Sequence, residues 1–249
     1  MATLIRLNFP ILSSTQTWVK DHLDLVPSAG WLIVTADQQT AGMGTQGKLW
    51  HSPPGNIYAT LAAKLPLVFS VREIARRNQL AQITSLAIAK MLEKFGFTPR
   101  LKWINDVLLN GKKIAGVLAE LVSDAQRELC LLIGVGINVN MQHNEIADYA
   151  EIITSLRMEK NCIFDLQIIF ESFLEYFCQN MDEYLACKNT EDLTQQIQKR
   201  LTANCGEIVT LVVDGAKICG MFLGLDPEGQ VRLQLENHVA IFNHGSMVF

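Results

Sequence analysis

The sequence has little that would attach the protein to a membrane. No stretch of its 249 residues approaches the roughly 18 consecutive apolar residues that a membrane-spanning helix requires. The N-terminal segment, MATLIRLNFPILSST, also lacks the apolar run and the cleavage site of a secretory signal. These two absences predict a cytoplasmic protein with no membrane partner.

Several kinds of catalytic centre are missing as well. The six cysteines form no CxxC pair and have no zinc-type spacing, so we expect buried, unpaired thiols in a reducing compartment. None of the five histidines has a metal-ligand spacing or an evident serine or cysteine partner, and there is no serine nucleophile elbow. The sequence therefore argues against a zinc site, a disulfide framework and a serine hydrolase.

The charge balance gives no sign of nucleic-acid binding. The formal net charge is −4, whereas a general nucleic-acid binder carries an excess of basic residues. Strand-like segments begin almost at once, which leaves no room before them for a helix-turn-helix module of about 60 residues. We therefore expect no DNA partner. Hydrophobic residues make up 49% of the chain, enough for a sizeable core.

Hydrophobic periodicity predicts strands that alternate with helices. The hydroxyl residues at positions 13–15 suit the start of a helix, and apolar residues follow at helical spacing as far as Val26. Asn110-Gly111 is a strong signal for a two-residue turn, because both positions must tolerate a positive φ. The predicted strands are Leu4–Leu12, Trp31–Ala36, Ile57–Leu65, Asp106–Leu109, Lys112–Ala115 and Leu129–Val139, and the longer predicted helices run from Leu80 to Phe95, from Asp165 to Tyr184 and from Glu191 to Leu201.

The composition changes after Asn204 to short strands separated by turn sequences at Asp214-Gly215 and at residues 227–229. This spacing is typical of a small all-β barrel, which at about 45 residues is small for an independent folding unit. We predict a catalytic domain over residues 1–201 and a barrel domain over residues 202–249.

Four segments contain residues suited to chemistry, and the first is QQTAGMGTQGKLW, at residues 38–50. Gly42, Gly44 and Gly47 allow backbone N–H groups to surround an anion. The segment is neither a Walker A loop nor a dinucleotide-binding fingerprint, because the flanking residues of those motifs are missing. Taken alone, it is more typical of a flexible surface loop.

The second segment is LKWINDVLLNGKKIAGVLAEL, at residues 101–121. Lys102, Asp106 and Lys113 stand among apolar strand residues around the predicted turn, where they could bind phosphates and a Mg²⁺ ion. Gly116 would let a ligand approach the backbone closely. Charged strand residues more often face solvent, and Lys102 and Asp106 could simply form an ion pair.

The third segment, LLIGVGINVN at residues 131–140, has two glycines inside a predicted strand. Such glycines mark a bend, a bulge or a ligand that lies against the backbone, and Asn138 beyond them supplies both a donor and an acceptor. On these residues alone, a bend explains the glycines as well as a ligand does. The fourth segment, Ser14-Thr15-Gln16, can be explained as a helix cap.

In this order and spacing, the four segments resemble the signature of the biotin–protein ligases. The patterns QTAGxGxxGKxW, KWxND, GKKxAGxLxE and GxGINVN occur within about 100 residues, and their combination is far more specific than any one of them. The C-terminal strands, which end in HGSMV at residues 244–248, also resemble that family's small barrel. The resemblance covers nearly the whole chain.

The resemblance implies an α+β fold of the class II aminoacyl-tRNA-synthetase and biotin-ligase kind. Such a fold has a mixed sheet with helices, followed by a small C-terminal SH3-like β-barrel. The resemblance further implies the monofunctional branch of the family, which has no N-terminal DNA-binding domain. A homodimer is compatible with the sequence, although nothing in it requires one.

The activity that the resemblance implies is the joining of biotin to a protein, with ATP and Mg²⁺. Biotin would react with ATP to give biotinyl-5′-AMP, and would then pass to one lysine of the biotin carboxyl carrier domain of acetyl-CoA carboxylase. Two alternatives stay open. One is a lipoate or octanoyl protein ligase or transferase, whose arginine-rich glycine motif or cysteine nucleophile is not found here. The other is a non-catalytic biotin-binding sensor.

The resemblance also implies roles for individual residues. Lys113, which would contact both the biotin carboxylate and the α-phosphate, and Lys102 are the expected catalytic residues, and Asp106 would bind the metal. The expected biotin-binding residues are Ser14, Thr15, Gln16, Gln39, Gly42, Met43, Gly44, Thr45, Lys113, Gly116 and Leu118, and the expected ATP- or adenylate-binding residues are Lys48, Trp50, Asn105, Asp106, Gly134 and Asn138.

The glycine-rich segment departs from the family pattern. The family commonly has arginine after the first and second glycines, where this chain has Met43 and Thr45. A well-formed arginine–phosphate contact is worth roughly 1.5–3 kcal/mol. We therefore expect either weaker retention of the adenylate or its retention by Lys48. Gln16 stands where the family often has asparagine.

Overall fold

The computed structural model describes residues 3–65, 77–123, 128–145, 152–186 and 191–248. The chain divides into two compact units, a first of Met1–Arg77 with Lys112–Phe170 and a second of Asn78–Gly111 with Glu171–Phe249. Within the described ranges, no helix is both long and apolar enough to cross a membrane. The domain boundary near residue 202 stays a prediction.

The elements are numbered here in chain order. The strands are β1 (Thr3–Leu12), β2 (Gly30–Gln39), β3 (Ile57–Lys64), β4 (Arg100–Lys102), β5 (Asp106–Leu109), β6 (Lys112–Ser123), β7 (Leu129–Ile137), β8 (Ile208–Val213), β9 (Ala216–Leu225), β10 (Val231–Gln234), β11 (Val239–Phe242) and β12 (Ser246–Val248). The α-helices are α1 (Thr15–Asp21), α2 (Arg77–Lys94), α3 (Leu156–Lys160), α4 (Leu166–Ala186) and α5 (Glu191–Gln198).

In the first unit, strands are hydrogen-bonded in the order β1-β2-β3-β7-β6. The β1–β2 pair is parallel and the other pairs are antiparallel, so the sheet is mixed, as the predicted α+β class requires. α1 connects the two parallel strands and buries Val19 against Leu32 and Val34 of β2. Burial of one such aliphatic side chain stabilises the fold by about 1.5–3 kcal/mol.

The first helix is shorter than predicted. α1 begins after the N-cap Ser14, whose hydroxyl accepts from the Thr17 N–H, and it ends at Asp21. The His22 N–H donates to the Val19 carbonyl, and a short 3₁₀ helix, Leu23–Leu25, follows. This tighter turn interrupts the α-helical spacing that had predicted a helix as far as Val26.

One predicted boundary is wrong, because β6 continues to Ser123 instead of ending at Ala115. Several others lie close to the observed ones. β3 ends at Lys64 instead of Leu65, and β7 ends at Ile137 instead of Val139. The turn at Asn110-Gly111 is confirmed, because the two residues have φ angles of 49° and 78°. Asp165 caps α4, and its Oδ1 accepts from the N–H groups of Gln167 and Ile168.

The second unit contains a five-stranded antiparallel sheet, in the order β11-β10-β9-β8-β12, from the region predicted to form a barrel. Side chains of α2 and of the KWIND segment donate to a turn of this sheet. Gln82 Nε2 and Trp103 Nε1 both donate to the Gly229 carbonyl, at 2.9 and 3.0 Å. Gln79 Nε2 donates to the Pro227 carbonyl at 2.9 Å.

The prediction that the cysteines are buried is wrong for most of them. Cys130 in β7 is buried, but four others lie on the surface. They occupy turns and the solvent faces of amphipathic elements, positions that sequence periodicity did not distinguish. None of the five described cysteines forms a disulfide, and Cys187 lies outside the described residues. The exposed cysteines are Cys162, Cys178, Cys205 and Cys219.

Candidate active site

Three glycines lie close together on one face of the first unit's sheet. Gly116 of β6 is paired with Gly136 of β7, and Gly134 is paired with Thr60 of β3 and Leu118 of β6. Residues two apart in a strand point to the same face, so the three glycines form a strip without side chains, which we call the glycine floor. β7 pairs with β3 and with β6 without a shift in register, so the glycines do not mark a bulge. A group that approaches the backbone closely explains them better.

The indole ring of Trp50 lies on the glycine floor. A Cβ added at Gly136 would come within 2.5 Å of Trp50 Cε2, and one added at Gly116 would come within 3.0 Å of Trp50 Cζ3. Trp50 Nε1 is buried and has no hydrogen-bond partner among the described residues. A buried donor without a partner costs roughly 1–3 kcal/mol, so the free N–H is a feature that a bound ligand could satisfy.

Lys113 stands beside Trp50, at the start of β6. Its Nζ is 5.1 Å from the centroid of the indole and would be 3.2 Å from a Cβ added at Gly116. Its backbone is held on both sides, because its N–H donates to the Ile152 carbonyl and its own carbonyl accepts from the Thr154 N–H. The structure therefore brings a cation to the edge of the glycine floor on a fixed backbone.

The segment Ser14-Thr15-Gln16 is buried next to Gln39. The parallel register pairs Leu12 with Gln39, which places the end of β2 beside the start of α1. The Thr15 N–H donates to Gln39 Oε1 at 2.9 Å, and the Thr15 hydroxyl oxygen lies 3.2 Å from the same atom. Gln39 Nε2 donates to Ser52 Oγ at 3.0 Å, and the Ser52 hydroxyl donates to the Trp50 carbonyl at 2.8 Å.

The Gln16 side chain lies over the third glycine of the floor. Its Oε1 would be 2.7 Å from a Cβ added at Gly134, and it accepts from the Thr60 hydroxyl at 3.1 Å. Its Nε2 donates to Glu120 Oε2 at 2.8 Å. Lys20 pairs with the same carboxylate at 2.8 Å. Thr60 and Glu120 were not predicted as site residues, although Glu120 is the acidic residue of the GKKxAGxLxE pattern.

The glycine-rich loop, which we define as residues 42–50, is a small hairpin. The Gly44 N–H donates to the Lys48 carbonyl and the Trp50 N–H donates to the Gly42 carbonyl, at 2.7 and 2.8 Å. Met43 reaches back to α1, where its Sδ accepts from the Thr17 hydroxyl at 3.3 Å. Residues 45–49 are exposed, Lys48 among them, so the loop presents its remaining basic side chain to solvent.

Asn138 follows β7 and is 2% exposed. Its N–H donates to the Ile114 carbonyl and its Nδ2 donates to the Thr154 carbonyl. Its Oδ1 is buried and accepts no hydrogen bond from the described residues. This second unsatisfied polar atom is another feature that a ligand with an N–H or O–H group could complete.

Tyr58 lies opposite Gly136 in the pairing of β3 with β7. A phenol is protonated at neutral pH, and burial raises the pKa of this one further above its ordinary value. Its hydroxyl donates to the Pro53 carbonyl at 2.7 Å. The phenol therefore adds no negative charge to the floor, where an anionic ligand would be repelled by one.

Comparison with known proteins identifies the family. A model described as the biotin/lipoate A/B protein ligase family matches residues 8–138, more than half of the chain. The chain belongs to this family.

The bifunctional ligase/repressor BirA of Bacillus subtilis is 29% identical over 227 residues, which are 90% of this chain and 67% of that protein. The biotin–[acetyl-CoA-carboxylase] ligase of Paracoccus denitrificans is 30% identical over 136 residues, 52% of this chain and 53% of that protein. The solved biotin protein ligase from Aquifex aeolicus in complex with biotin and ATP has a TM-score of 0.79 and 27% identity, and the match covers 100% of this chain and 98% of that chain.

Most of the residues predicted from the biotin-ligase resemblance lie together in the first unit of this family member. Lys102, Asn105 and Asp106 belong to the second unit, where Lys102 and Asp106 are partners in the register of β4 with β5. No group of three potential metal ligands of the His, Cys, Asp or Glu type occurs among the described residues. The members of the first unit are Ser14, Thr15, Gln16, Gln39, Gly42, Met43, Gly44, Thr45, Lys48, Trp50, Lys113, Gly116, Leu118, Gly134 and Asn138.

Proposed function

We propose that this chain is a biotin protein ligase. It forms biotinyl-5′-AMP and pyrophosphate from biotin and ATP, and it transfers biotin to a lysine of the biotin carboxyl carrier domain of acetyl-CoA carboxylase. One observation carries the proposal: the whole chain matches a biotin protein ligase solved with biotin and ATP, at a TM-score of 0.79. The carrier is inferred from relatives named for acetyl-CoA carboxylase.

The arrangement of the first unit supports a biotin site beside the glycine floor, against the Trp50 and Gln16 side chains that cover it. Thr15 and Gln39 supply hydroxyl and amide groups for the polar urea ring. The Trp50 indole, which packs on the floor, gives the aliphatic tail an apolar surface. Lys113, at the edge of the floor, then meets the carboxylate end of the tail.

The first step joins two anions, so it requires positive charge. A carboxylate oxygen of biotin attacks the α-phosphorus of ATP, and the bond from that phosphorus to the bridging oxygen breaks to release pyrophosphate. Lys113 offsets the repulsion between the carboxylate and the phosphate and holds them in line. Lys102 is the second lysine that we assign to this reaction.

ATP binding is assigned to Lys48, Trp50, Asn105, Asp106, Gly134 and Asn138. The buried Asn138 Oδ1 supports this assignment, because it is an acceptor left for an N–H or O–H group of the nucleotide. Mg²⁺ in such sites is commonly held by one or two carboxylates together with substrate phosphates. Asp106 is the carboxylate that we assign to this ion, since no group of three metal-ligating side chains of the His, Cys, Asp or Glu type occurs among the described residues. The ion would neutralise the charge on the phosphates.

The second step forms the amide bond. The neutral amine of the carrier lysine attacks the acyl carbon of biotinyl-5′-AMP, the carbon–oxygen bond to the phosphate breaks, and AMP leaves with the electron pair. Water competes as a nucleophile, which gives a loop that covers the adenylate a clear role. The glycine-rich loop is the segment we assign to this role.

The experiment supplies the purified protein with ATP, Mg²⁺, labelled biotin and a carrier domain. We expect label on the carrier in the wild-type reaction, and no transfer would refute the proposal. Lys113→Ala should reduce adenylation at least about 100-fold, because positive charge at the reacting oxygens is lost. Lys112→Ala, a change of the neighbouring lysine, is the matched control and should retain activity.

The same assay separates the alternatives. The matched family includes lipoate ligases, so lipoate is offered in a parallel reaction. Transfer of lipoate in place of biotin would identify a lipoate ligase. Binding of labelled biotin without formation of its adenylate would identify a sensor. Substantial adenylation by Lys113→Ala would remove that lysine from its assigned role.

A further inference from the structure

Glu120 fixes the orientation of the buried Gln16 amide. A carboxylate has acceptor oxygens and no donor, so the Gln16 group that faces Glu120 Oε2 at 2.8 Å is the Nε2 donor. Lys20 holds the carboxylate from the other side, with Nζ 3.0 Å from Oε1 and 2.8 Å from Oε2. Gln16 is 3% exposed, so its amide has little room to turn.

The fixed amide then sets the direction of two hydroxyl groups. Gln16 Oε1 can only accept, so the Thr60 hydroxyl donates its single proton across the 3.1 Å contact. The oxygens of Thr60 and Thr15 are 2.9 Å apart. Because Thr60 has already given its proton, Thr15 is the donor in that contact.

The other end of this chain of hydrogen bonds is fixed by the backbone. The Thr15 N–H can only donate, so it fixes Gln39 Oε1 as an acceptor at 2.9 Å. Gln39 Nε2 therefore faces Ser52 Oγ. The Thr15 hydroxyl oxygen and Gln39 Oε1 are thus both left with acceptor capacity, and they are 3.2 Å apart.

We propose that Glu120 is a positioning residue, which acts through Gln16 and Thr60 to keep Thr15 and Gln39 as paired acceptors for the N–H groups of a cyclic urea. This inference rests on the proposed function. It adds a physical reason for the site to select a ligand whose ring is a cyclic urea. A urea has two N–H donors that satisfy both acceptors. An apolar ring, such as the dithiolane of lipoate, leaves them unpaired, at a cost that disfavours its binding.

Glu120→Gln tests the proposal with little change of shape. Two donors, the Gln16 amide and the Lys20 ammonium, then compete for the one remaining oxygen. The donor–acceptor direction of the hydrogen bonds from Gln16 to Thr15 is then no longer fixed. We expect the Kd and the KM for biotin to rise about tenfold, with kcat and the KM for ATP within about twofold of wild type. Glu128→Gln, which removes the Lys64–Glu128 ion pair of the same sheet, is the matched control and should change none of these constants.

Exchanging the amide and the carboxylate between positions 16 and 120 should rescue biotin binding. In Gln16→Glu alone, two carboxylates face each other, and affinity for biotin should fall. In Gln16→Glu combined with Glu120→Gln, the amide donates to the new carboxylate, which still accepts from Thr60, so affinity should recover by at least threefold over either single variant. If the double variant does not recover affinity for biotin, the assigned direction of these hydrogen bonds is wrong.

Two further measurements keep the proposal falsifiable. Thr60→Val, which interrupts the chain at a different residue, should also raise the Kd for biotin if Glu120→Gln fails to fold. Desthiobiotin keeps the cyclic urea and lacks the sulfur ring, so it should lose affinity by the same factor as biotin. A biotin Kd unchanged within twofold, or parallel losses in kcat and in the KM for ATP, would overturn the proposal. If wild-type protein does not adenylate biotin, the proposed function itself has failed.

Discussion

The glycine floor and the glycine-rich loop lie in the same unit and use the same residue type under different constraints. At Gly134 and Gly136 in the floor, an added Cβ would meet Gln16 or Trp50 at 2.7 or 2.5 Å. At Gly47 in the loop, it would meet none of the described atoms within 4 Å. Gly47 is instead required by its backbone, whose φ of +71° is in the left-handed region.

The comparison separates two reasons for a glycine that look alike in sequence. In the floor, the glycines provide space for a neighbouring side chain. The sheet is densely packed there, so an added methyl group would overlap that side chain. In the exposed part of the loop, they provide conformational freedom. Gly42, at the base of the loop, belongs to the first kind, because its Cβ would come within 2.5 Å of the Trp50 carbonyl oxygen.

The largest expected effect comes from breaking the floor. Gly136→Ala should lower kcat/KM for biotin about 100-fold, because the new methyl group displaces the Trp50 ring and shifts the ligand's path by a sizeable fraction of an ångström. We also expect about 1–3 kcal/mol less stability to urea, as for other overpacked positions. A kcat/KM within threefold of wild type would show that activity does not depend on the absence of a side chain at this position of the floor.

An intermediate effect should come from the loop's charge. Lys48→Ala should increase the release of free biotinyl-5′-AMP about tenfold, if Lys48 supplies the phosphate contact that arginines commonly supply in the family. Lys48→Arg is the control and should retain the adenylate. Equal and negligible release from wild type and Lys48→Ala would contradict a role for this residue.

The smallest effect should come from the backbone of the loop. Gly47→Ala places a side chain at a φ of +71° and should cost about 1–2 kcal/mol locally, with kcat/KM reduced by no more than about fivefold. Gly47→Asn should cost less, because asparagine tolerates this conformation better. A loss as large as that of Gly136→Ala would erase the distinction between floor and loop.

Much of the fold could be predicted because local signals were sufficient. The strong apolar runs of β2 and β3, the cap at Asp165 and the turn at Asn110-Gly111 each depend on residues that are neighbours in sequence. The segments around Thr15, Gln39 and Lys113 could be found through their joint spacing. Their mutual contacts, such as Thr15 with Gln39, required the parallel register of β1 with β2.

Features that depend on tertiary packing could not be predicted. Thr60 stands in a fully buried strand, and nothing in its sequence context distinguishes it from its apolar neighbours. Glu120 has the ordinary pattern of a charged residue near a strand end, and its contact with Gln16 joins positions far apart in sequence. The prediction of buried cysteines failed for a related reason. A general tendency of cysteine to be buried does not decide which side of an amphipathic element faces solvent.

The position of Trp50 gives the protein an optical probe of its own site. Indole emission responds to nearby charge and to the polarity around the ring, and this indole lies on the glycine floor with the Lys113 ammonium 5.1 Å from its centroid. Three other tryptophans, Trp18, Trp31 and Trp103, also emit, so a Trp50→Phe variant is needed to identify the part of the signal that comes from Trp50. Ligand binding beside the floor can therefore be followed by the difference in fluorescence between the unlabelled protein and its Trp50→Phe variant, without ATP, a carrier or a radioactive substrate.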